Sequence, residues 1–325
     1  MRVLIAGAGA IGSVVGGFLR RAGLDVSLLG RARHMDAIAR RGLAIHGIWG
    51  EHVVHGLSVA TDPAGLRGPF DVILLPAKAY DTEKTASAVA PLLADDGLMV
   101  SLQNGLGNTE ILESIVGRHR ALGARVIFGV KIPEPGRAVV VVFADPTAIG
   151  PLVPGAHPAR DAAARHLVEV LDRAGVPAIY TDRLTELLWA KILYNGSLNP
   201  VGALLGVHYG ALADRAQSRA LLNAVIAEVF AVAHAEGVSL PWPAPAAYLE
   251  EFYGRLVPST RDHRSSMLQD IEHGRRTEVD AINGEVVRRG QRHGIATPVN
   301  AALTELIHVV ESRREPAAKE KLGFA

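Results

Sequence analysis

Arg2-Val3-Leu4-Ile5-Ala6-Gly7-Ala8-Gly9-Ala10-Ile11-Gly12 follows Met1, and its reading decides the fold. Residues 2–6 are an apolar run of strand length, and Ala10–Ala22 has the composition of a helix that Gly23 ends. Residues 25–29 (DVSLL) read as a second strand, so the first thirty residues form a βαβ unit. Gly7-x-Gly9-x-x-Gly12 sits where strand gives way to helix, which is the context this weak motif needs. The first glycine permits the tight turn, the second lets backbone approach a pyrophosphate, and the third lets helix and strand pack closely. The backbone of Ala10 and Ile11 then opens a helix whose N-terminus faces the anion. A glycine-rich turn without a ligand is the bland alternative.

Composition narrows the classes further. The chain has 325 residues, 49% hydrophobic and 21% charged, which suits about two globular domains and excludes a disordered chain. Thirty-four Lys+Arg against 33 Asp+Glu leave a net charge of +1, with no electrostatic case for nucleic acid or an anionic membrane. No cysteine is present, so thiol nucleophiles, disulfides and Cys-ligated metals are excluded, and a cytoplasmic setting is expected. The apolar start could imitate a signal peptide, but five glycines between Gly7 and Gly17 weaken a helical core there. No other segment is expected to come close to a membrane span; Leu221–Ala235 carries Asn223, Glu228 and His234. Neither a nucleic acid nor a membrane partner is expected, and a homodimer is compatible with the sequence.

Outward from the βαβ unit, a helix is expected near His34–Arg41 and strand pieces over Leu43–Val59. Phe70–Leu75 reads as a strand and Asp81–Leu93 as a helix; Leu98–Leu102 reads as a strand and Leu106–Val116 as a helix. Arg125–Val130, Ala138–Phe143 and Thr147–Ile149 extend the β region, followed by a helix near Ala159–Ala174 and a strand at Ala178–Tyr180. Strands alternating with helices predict an α/β fold with a doubly wound, mostly parallel sheet, a Rossmann domain over 1–181. From 182 to 325 only helical periodicity remains, over 183–198, 213–236, 244–256, 262–273, 277–292 and 298–313. An all-helical substrate or catalytic domain is expected there. The residues from about Arg313 onward are charged and expected to fray.

In an open α/β sheet, ligands lie beyond the carboxyl ends of the strands. The second strand ends in Leu29-Gly30-Arg31-Ala32-Arg33, with no acid where NAD enzymes place one for the ribose hydroxyls. A guanidinium binds a 2′-phosphate that a carboxylate would repel, so NADP(H) is the expected cofactor, with Arg31 first and Arg33 as backup. Lys78 follows the third such strand and Asn104-Gly105 the fourth, along the same edge. Taken singly, Arg31 could be a solvated loop residue, Lys78 a surface lysine and Asn104-Gly105 a plain turn.

In the helical half, Leu184, Leu187 and Leu188 define a stripe that continues into Lys191, Asn195 and Asn199 before Pro200 is expected to stop the helix. Polar groups on an apolar face are costly unless paired or lining a wet cleft. A partly desolvated lysine there would suit a general acid. Glu278 is expected on an inward stripe with Ile282 and Val286; capping of its own helix is the alternative. The thirteen histidines form no H-E-x-x-H and no cluster with carboxylates, so no metal is expected.

Together these motifs resemble the ketopantoate reductase (2-dehydropantoate 2-reductase) family. The likeness covers Gly7–Gly12, Arg31, Pro76-Ala77-Lys78-Ala79, Gln103-Asn104-Gly105, Lys191-x-x-x-Asn195-x-x-x-Asn199-Pro200, Ser265–Asp270 and Thr277–Gly284 in order. The resemblance implies a Rossmann domain, a helical domain of the 6-phosphogluconate-dehydrogenase type, and an active site in the cleft between them. It implies NADPH-dependent reduction of 2-dehydropantoate to (R)-pantoate in pantothenate and coenzyme A biosynthesis. By the same resemblance, Lys191 is the catalytic acid and Glu278 a catalytic carboxylate on the substrate and cofactor side. Asn104, Asn195, Asn199 and Ser266 become binders of substrate or nicotinamide, and Arg31 and Lys78 cofactor binders. Gly202, Tyr209 and Val141 depart from the residues many members carry. A paralogous NADP-dependent reductase of another 2-oxo acid, an opine-type dehydrogenase, or a non-enzymatic dinucleotide sensor stay open.

Overall fold

The computed structural model describes residues 1–313 and divides the chain into two compact units, Met1–Thr185 and Glu186 onward. The expected fraying beyond Arg313 lies outside the described residues.

The first unit is built on one sheet. Its strands are β1 (Arg2–Ala6), β2 (Asp25–Leu29), β3 (Leu43–Gly47), β4 (His52–Val54), β5 (Ser58–Ala60), β6 (Phe70–Leu75), β7 (Leu93–Ser101), β8 (Ala121–Glu134), β9 (Arg137–Gly150) and β10 (Ala178–Tyr180). Helices α1 (Ala10–Arg21), α2 (Ala32–Arg41), α3 (Thr82–Val89), α4 (Asn108–Val116) and α5 (Pro158–Ala174) connect them. The strand order is β4-β3-β9-β8-β7-β6-β1-β2-β5, with β10 beside β9. Only β3–β4 and β8–β9 pair antiparallel, so the sheet is mostly parallel and doubly wound, as the alternating pattern predicts. Both faces are covered. Val3 and Ile5 of β1 join Val14, Val15, Phe18 and Leu19 of α1 and Ala164, Leu167 and Leu171 of α5. Leu4 and Ala6 point the other way, to Ala86 and Val89 of α3 and Leu112 and Val116 of α4. Burial on two faces explains why these strands read as unbroken apolar runs.

Two sequence expectations fail in this unit. The helix after Lys78 stops at Val89, and β7 begins at Leu93 rather than Leu98. Leu93 pairs with Phe70 across a register shift, so Asp95 and Asp96 lie in an irregular, exposed stretch that hides the strand's true start. The three β pieces between Arg125 and Ile149 are two 14-residue strands joined at Pro135-Gly136. Four register shifts along β8–β9 break the alternation that would have revealed their length.

Among the described residues the second unit is helical throughout. Helix α6 (Leu184–Leu205) leads into it, followed by α7 (Tyr209–Ala213), α8 (Ala216–Ala235) and α9 (Pro245–Glu251). The latter widens into a π-helical turn over Phe252–Leu256 and ends in α10 (Val257–Ser259). Helices α11 (Ser266–Glu272), α12 (Val279–Arg292) and α13 (Pro298–Ser312) complete it.

Pro200 does not stop α6, which runs through it to Leu205. Proline has no N–H for the carbonyl four residues back. Here that carbonyl, Gly196 O, accepts instead from Asn283 Nδ2 of α12 at 2.9 Å. The same amide nitrogen donates to Asn300 Oδ1 of α13 at 2.9 Å. Helix α8 corrects another expectation: by length and mean hydropathy it could cross a membrane. The core helix of a soluble protein shares both properties. Its Leu222, Val225, Ile226, Val229, Val232 and Ala233 are buried, and Glu228 accepts from Val299 N at 2.8 Å and Asn300 N at 2.9 Å. The glutamate thereby satisfies two N–H groups at the start of α13, which has no side-chain cap of its own.

Candidate active site

In the first unit, four neighbouring strands end on one edge: β7, β6, β1 and β2. Registers Ala6↔Leu29 and Leu75↔Ser101 keep those ends level. Gly7 has φ +111°, and a Cβ there would lie 2.8 Å from the Ala77 backbone, so only glycine fits. A Cβ on Gly12 would meet Pro76 at 2.7 Å and Ile5 at 2.8 Å. The middle glycine differs: a Cβ on Gly9 would come no closer than 3.9 Å to any atom. Nothing in the fold demands glycine at that position, yet the sequence leaves its side clear. Gly9 is also the N-cap of α1, which has no side-chain cap and no acidic residue in its first turn. Clear space beside an uncapped helix N-terminus suits a pyrophosphate, so the residues present fit a dinucleotide.

The loop is tied to the end of β2. Gly7 N and Ala8 N both donate to Leu29 O, at 2.9 and 2.7 Å. Two residues on, Arg31 is exposed at the N-cap of α2, and Arg33 is exposed beside it. His34 then anchors this corner: its Nε2 lies 2.9 Å from Ser13 Oγ on α1, and its Nδ1 accepts from Gly136 N at 3.0 Å. The accepting Nδ1 places the neutral ring's proton on Nε2, and burial holds the pKa below the ordinary histidine value.

Lys78 is half-buried at the start of a 3₁₀ turn after β6, and Asn104 is half-buried in the loop after β7. Three residues not among the expected site residues bind these loops together. Gln103 Nε2 donates to Thr82 Oγ1 at 2.7 Å and to the Lys78 carbonyl at 3.3 Å. Thr82 Oγ1 donates to Asn108 Oδ1 at 2.8 Å, and Asn108 Nδ2 donates to the Asn104 carbonyl at 2.9 Å. Gln103, Thr82 and Asn108 are all buried. The Asn104-Gly105 turn is therefore braced from beneath, and Gly105 takes φ +92°. The only sequence signal was a polar cluster just after an apolar strand.

In the second unit, Lys191 and Asn195 are half-buried along α6 and Asn199 is 4% exposed. Asn199 Oδ1 accepts from Tyr209 Oη at 2.6 Å. Glu278 is not inside the helix with Ile282 and Val286; it stands at the N-cap position of α12 and is buried. Its side chain makes no capping bond. Thr277 Oγ1 instead accepts from Val279 N at 3.2 Å, which disfavours the capping alternative. The Asn283 bond to Gly196 ties α12 to α6 between Asn195 and Asn199. Ser266 is exposed at the first residue of α11, and its neighbour Ser265 is the buried cap that accepts from Leu268 N at 3.0 Å. No group of three or more metal-ligating side chains occurs among the described residues.

Comparison with known proteins follows the same division. Residues 3–154 match the ketopantoate reductase PanE/ApbA family, and residues 183–311 match its C-terminal part. The 2-dehydropantoate 2-reductase of Aquifex aeolicus (strain VF5) is 34% identical over 313 residues, 96% of this chain and 97% of that protein. The crystal structure of a PanE/ApbA family ketopantoate reductase from Ralstonia eutropha JMP134 is 32% identical, with TM-score 0.87 over 97% of this chain and 100% of the other. A ternary structure of D-mandelate dehydrogenase with NADH and anilino(oxo)acetate is 29% identical, with TM-score 0.85 over 97% of this chain and 100% of the other.

Proposed function

Because this chain belongs to the ketopantoate reductase family, we propose that it reduces 2-dehydropantoate to (R)-pantoate with NADPH, in pantothenate biosynthesis. The observation that carries the cofactor half is the corner at the end of β2: a loop with clear space at Gly9, bonded to Leu29, beside an exposed arginine and no carboxylate. Gly7, Gly9, Ala10, Ile11 and Gly12 would hold the pyrophosphate, Arg31 the 2′-phosphate, and Lys78 and Asn104 further parts of the cofactor. A nicotinamide cofactor held by these residues would supply a hydride to the ketone carbon. Lys191 presents an ammonium to the ketone oxygen and delivers a proton as negative charge builds there. Asn104, Asn195, Asn199 and Ser266 offer donors to the substrate's carboxylate and carbonyl oxygens. Glu278 accepts a hydrogen bond from the substrate hydroxyl.

A second reading, reduction of a different 2-oxo acid, is favoured by Tyr209, which stands where many family members carry Asn. The D-mandelate dehydrogenase likeness points the same way. NADPH consumption with 2-dehydropantoate, 2-oxoisovalerate and phenylglyoxylate separates the two. Under the first reading, 2-dehydropantoate exceeds 2-oxoisovalerate by at least about tenfold in kcat/KM, because only it satisfies Glu278. Comparable values, or a preference for phenylglyoxylate, select the second. Arg31→Ala should raise the NADPH KM by about 10- to 100-fold and leave NADH use nearly unchanged. Equal weakening of both cofactors would make Arg31 structural.

A further inference from the structure

Tyr209 is a buried phenol with no part in the mechanism above. It begins α7, and its backbone is clasped by the segment before α11: Tyr209 N donates to His263 O at 3.1 Å and Gly210 N to Arg261 O at 2.8 Å. Its ring meets Tyr194 edge-on at 5.7 Å and His263 at 5.1 Å between centroids. Four contacts thus fix where the hydroxyl points, and it donates to Asn199 Oδ1. Burial raises the phenol's pKa far above the ordinary tyrosine value, so the hydroxyl keeps its proton and remains the donor.

A primary amide has one accepting end and one donating end. With Oδ1 taken by Tyr209, Asn199 has its Nδ2 left, and that group makes no hydrogen bond among the described residues. We propose that Tyr209 is a positioning residue that locks the Asn199 amide with its nitrogen as the donor to an oxygen of the 2-oxo acid. The proposal rests on the reading of Asn199 as a substrate ligand. It makes Tyr209 a determinant of substrate class. An amide locked as a donor favours an anionic or carbonyl oxygen at that point and disfavours a substrate group that must itself donate.

The test compares wild type, Tyr209→Phe, Asn199→Ala and the double variant with the protein's best 2-oxo acid. Tyr209→Phe keeps the ring and removes only the hydroxyl. It should raise the 2-oxo acid KM about three- to tenfold, the scale of one neutral hydrogen bond, with kcat and the NADPH KM within about twofold. Asn199→Ala should raise the same KM by about tenfold or more, and the double variant should be no worse than Asn199→Ala alone. Asn199→Asp keeps the acceptor for Tyr209 but turns the donor into an anion, so it should raise KM even if the alanine variant folds poorly. If both Asn199 variants bind substrate normally, the reading of Asn199 fails and the proposal with it. If they weaken binding while Tyr209→Phe lowers only the melting temperature, or if the two effects add, Asn199 stands and Tyr209 is merely structural.

Discussion

Asn283→Ala removes the donor that lets α6 run through Pro200. Two buried acceptors lose their partner, Gly196 O and Asn300 Oδ1, each held at 2.9 Å. Orphaned buried acceptors cost about 1–3 kcal/mol each, so the gross loss is about 2–6 kcal/mol. Asn283 Oδ1 is itself buried without a partner, and its removal offsets about 1–3 kcal/mol of that. A net loss of about 1–3 kcal/mol lowers Tm by about 2–12 °C at 2–4 °C per kcal/mol. Thermal unfolding followed by circular dichroism measures it. The decisive comparison repeats the substitution in a Pro200→Ala background. An alanine at that position carries an N–H that can bond Gly196 O along the helix, so one of the two orphans disappears and Asn283→Ala should cost less there. An identical loss in both backgrounds, or a shift under about 1 °C in the first, would refute the account of how α6 tolerates its proline.

Gly9→Ala should leave Tm within about 2 °C, since the new Cβ meets nothing closer than 3.9 Å, yet weaken NADPH binding by about tenfold or more. A variant that binds normally would show that the clear space is not the cofactor's. Lys191→Ala should lower kcat by about 10²–10⁴ while NADPH affinity changes little; near wild-type turnover removes it from the chemistry. His34 gives a pH dependence. Its folded pKa lies below the unfolded value of about 6.5, so its stabilising bonds are full above that pH and lost as pH falls through the lower folded value. Protonation puts a hydrogen on Nδ1, where Gly136 N now donates. Denaturation midpoints should therefore drop more for wild type than for His34→Gln between about pH 7.5 and 5; parallel slopes would exclude His34.

The corner proposed for the cofactor could be picked out in the sequence because its logic is local. Gly7 and Gly12 each answer a steric question posed within the first eighty residues, Gly9 leaves the space between them clear, and Arg31 follows its strand directly. What the sequence hid depends on distant partners. The rule that proline ends a helix is sound for an isolated segment, and it fails at Pro200 because a donor arrives from Asn283, 87 residues beyond the carbonyl it serves. Glu278 was expected on a helical stripe, but Thr277 turns the chain one residue earlier and leaves the carboxylate just outside the first turn. Asn199 fell on the expected stripe, while the phenol that holds one end of its amide is a residue no periodicity singles out.

Glu228 carries a consequence for how the second unit tolerates change in length. The start of α13 is set by a side chain 71 residues earlier, on a helix that must present it at one azimuth. Adding or deleting a single residue between Ala216 and Glu228 would swing that carboxylate about 100° around α8 relative to the residues before the change. The N–H groups of Val299 and Asn300 would then lose their acceptor. Length variation in α8 is therefore confined to whole turns, or to the stretch between Glu228 and Ala235, where the phase of the carboxylate is untouched.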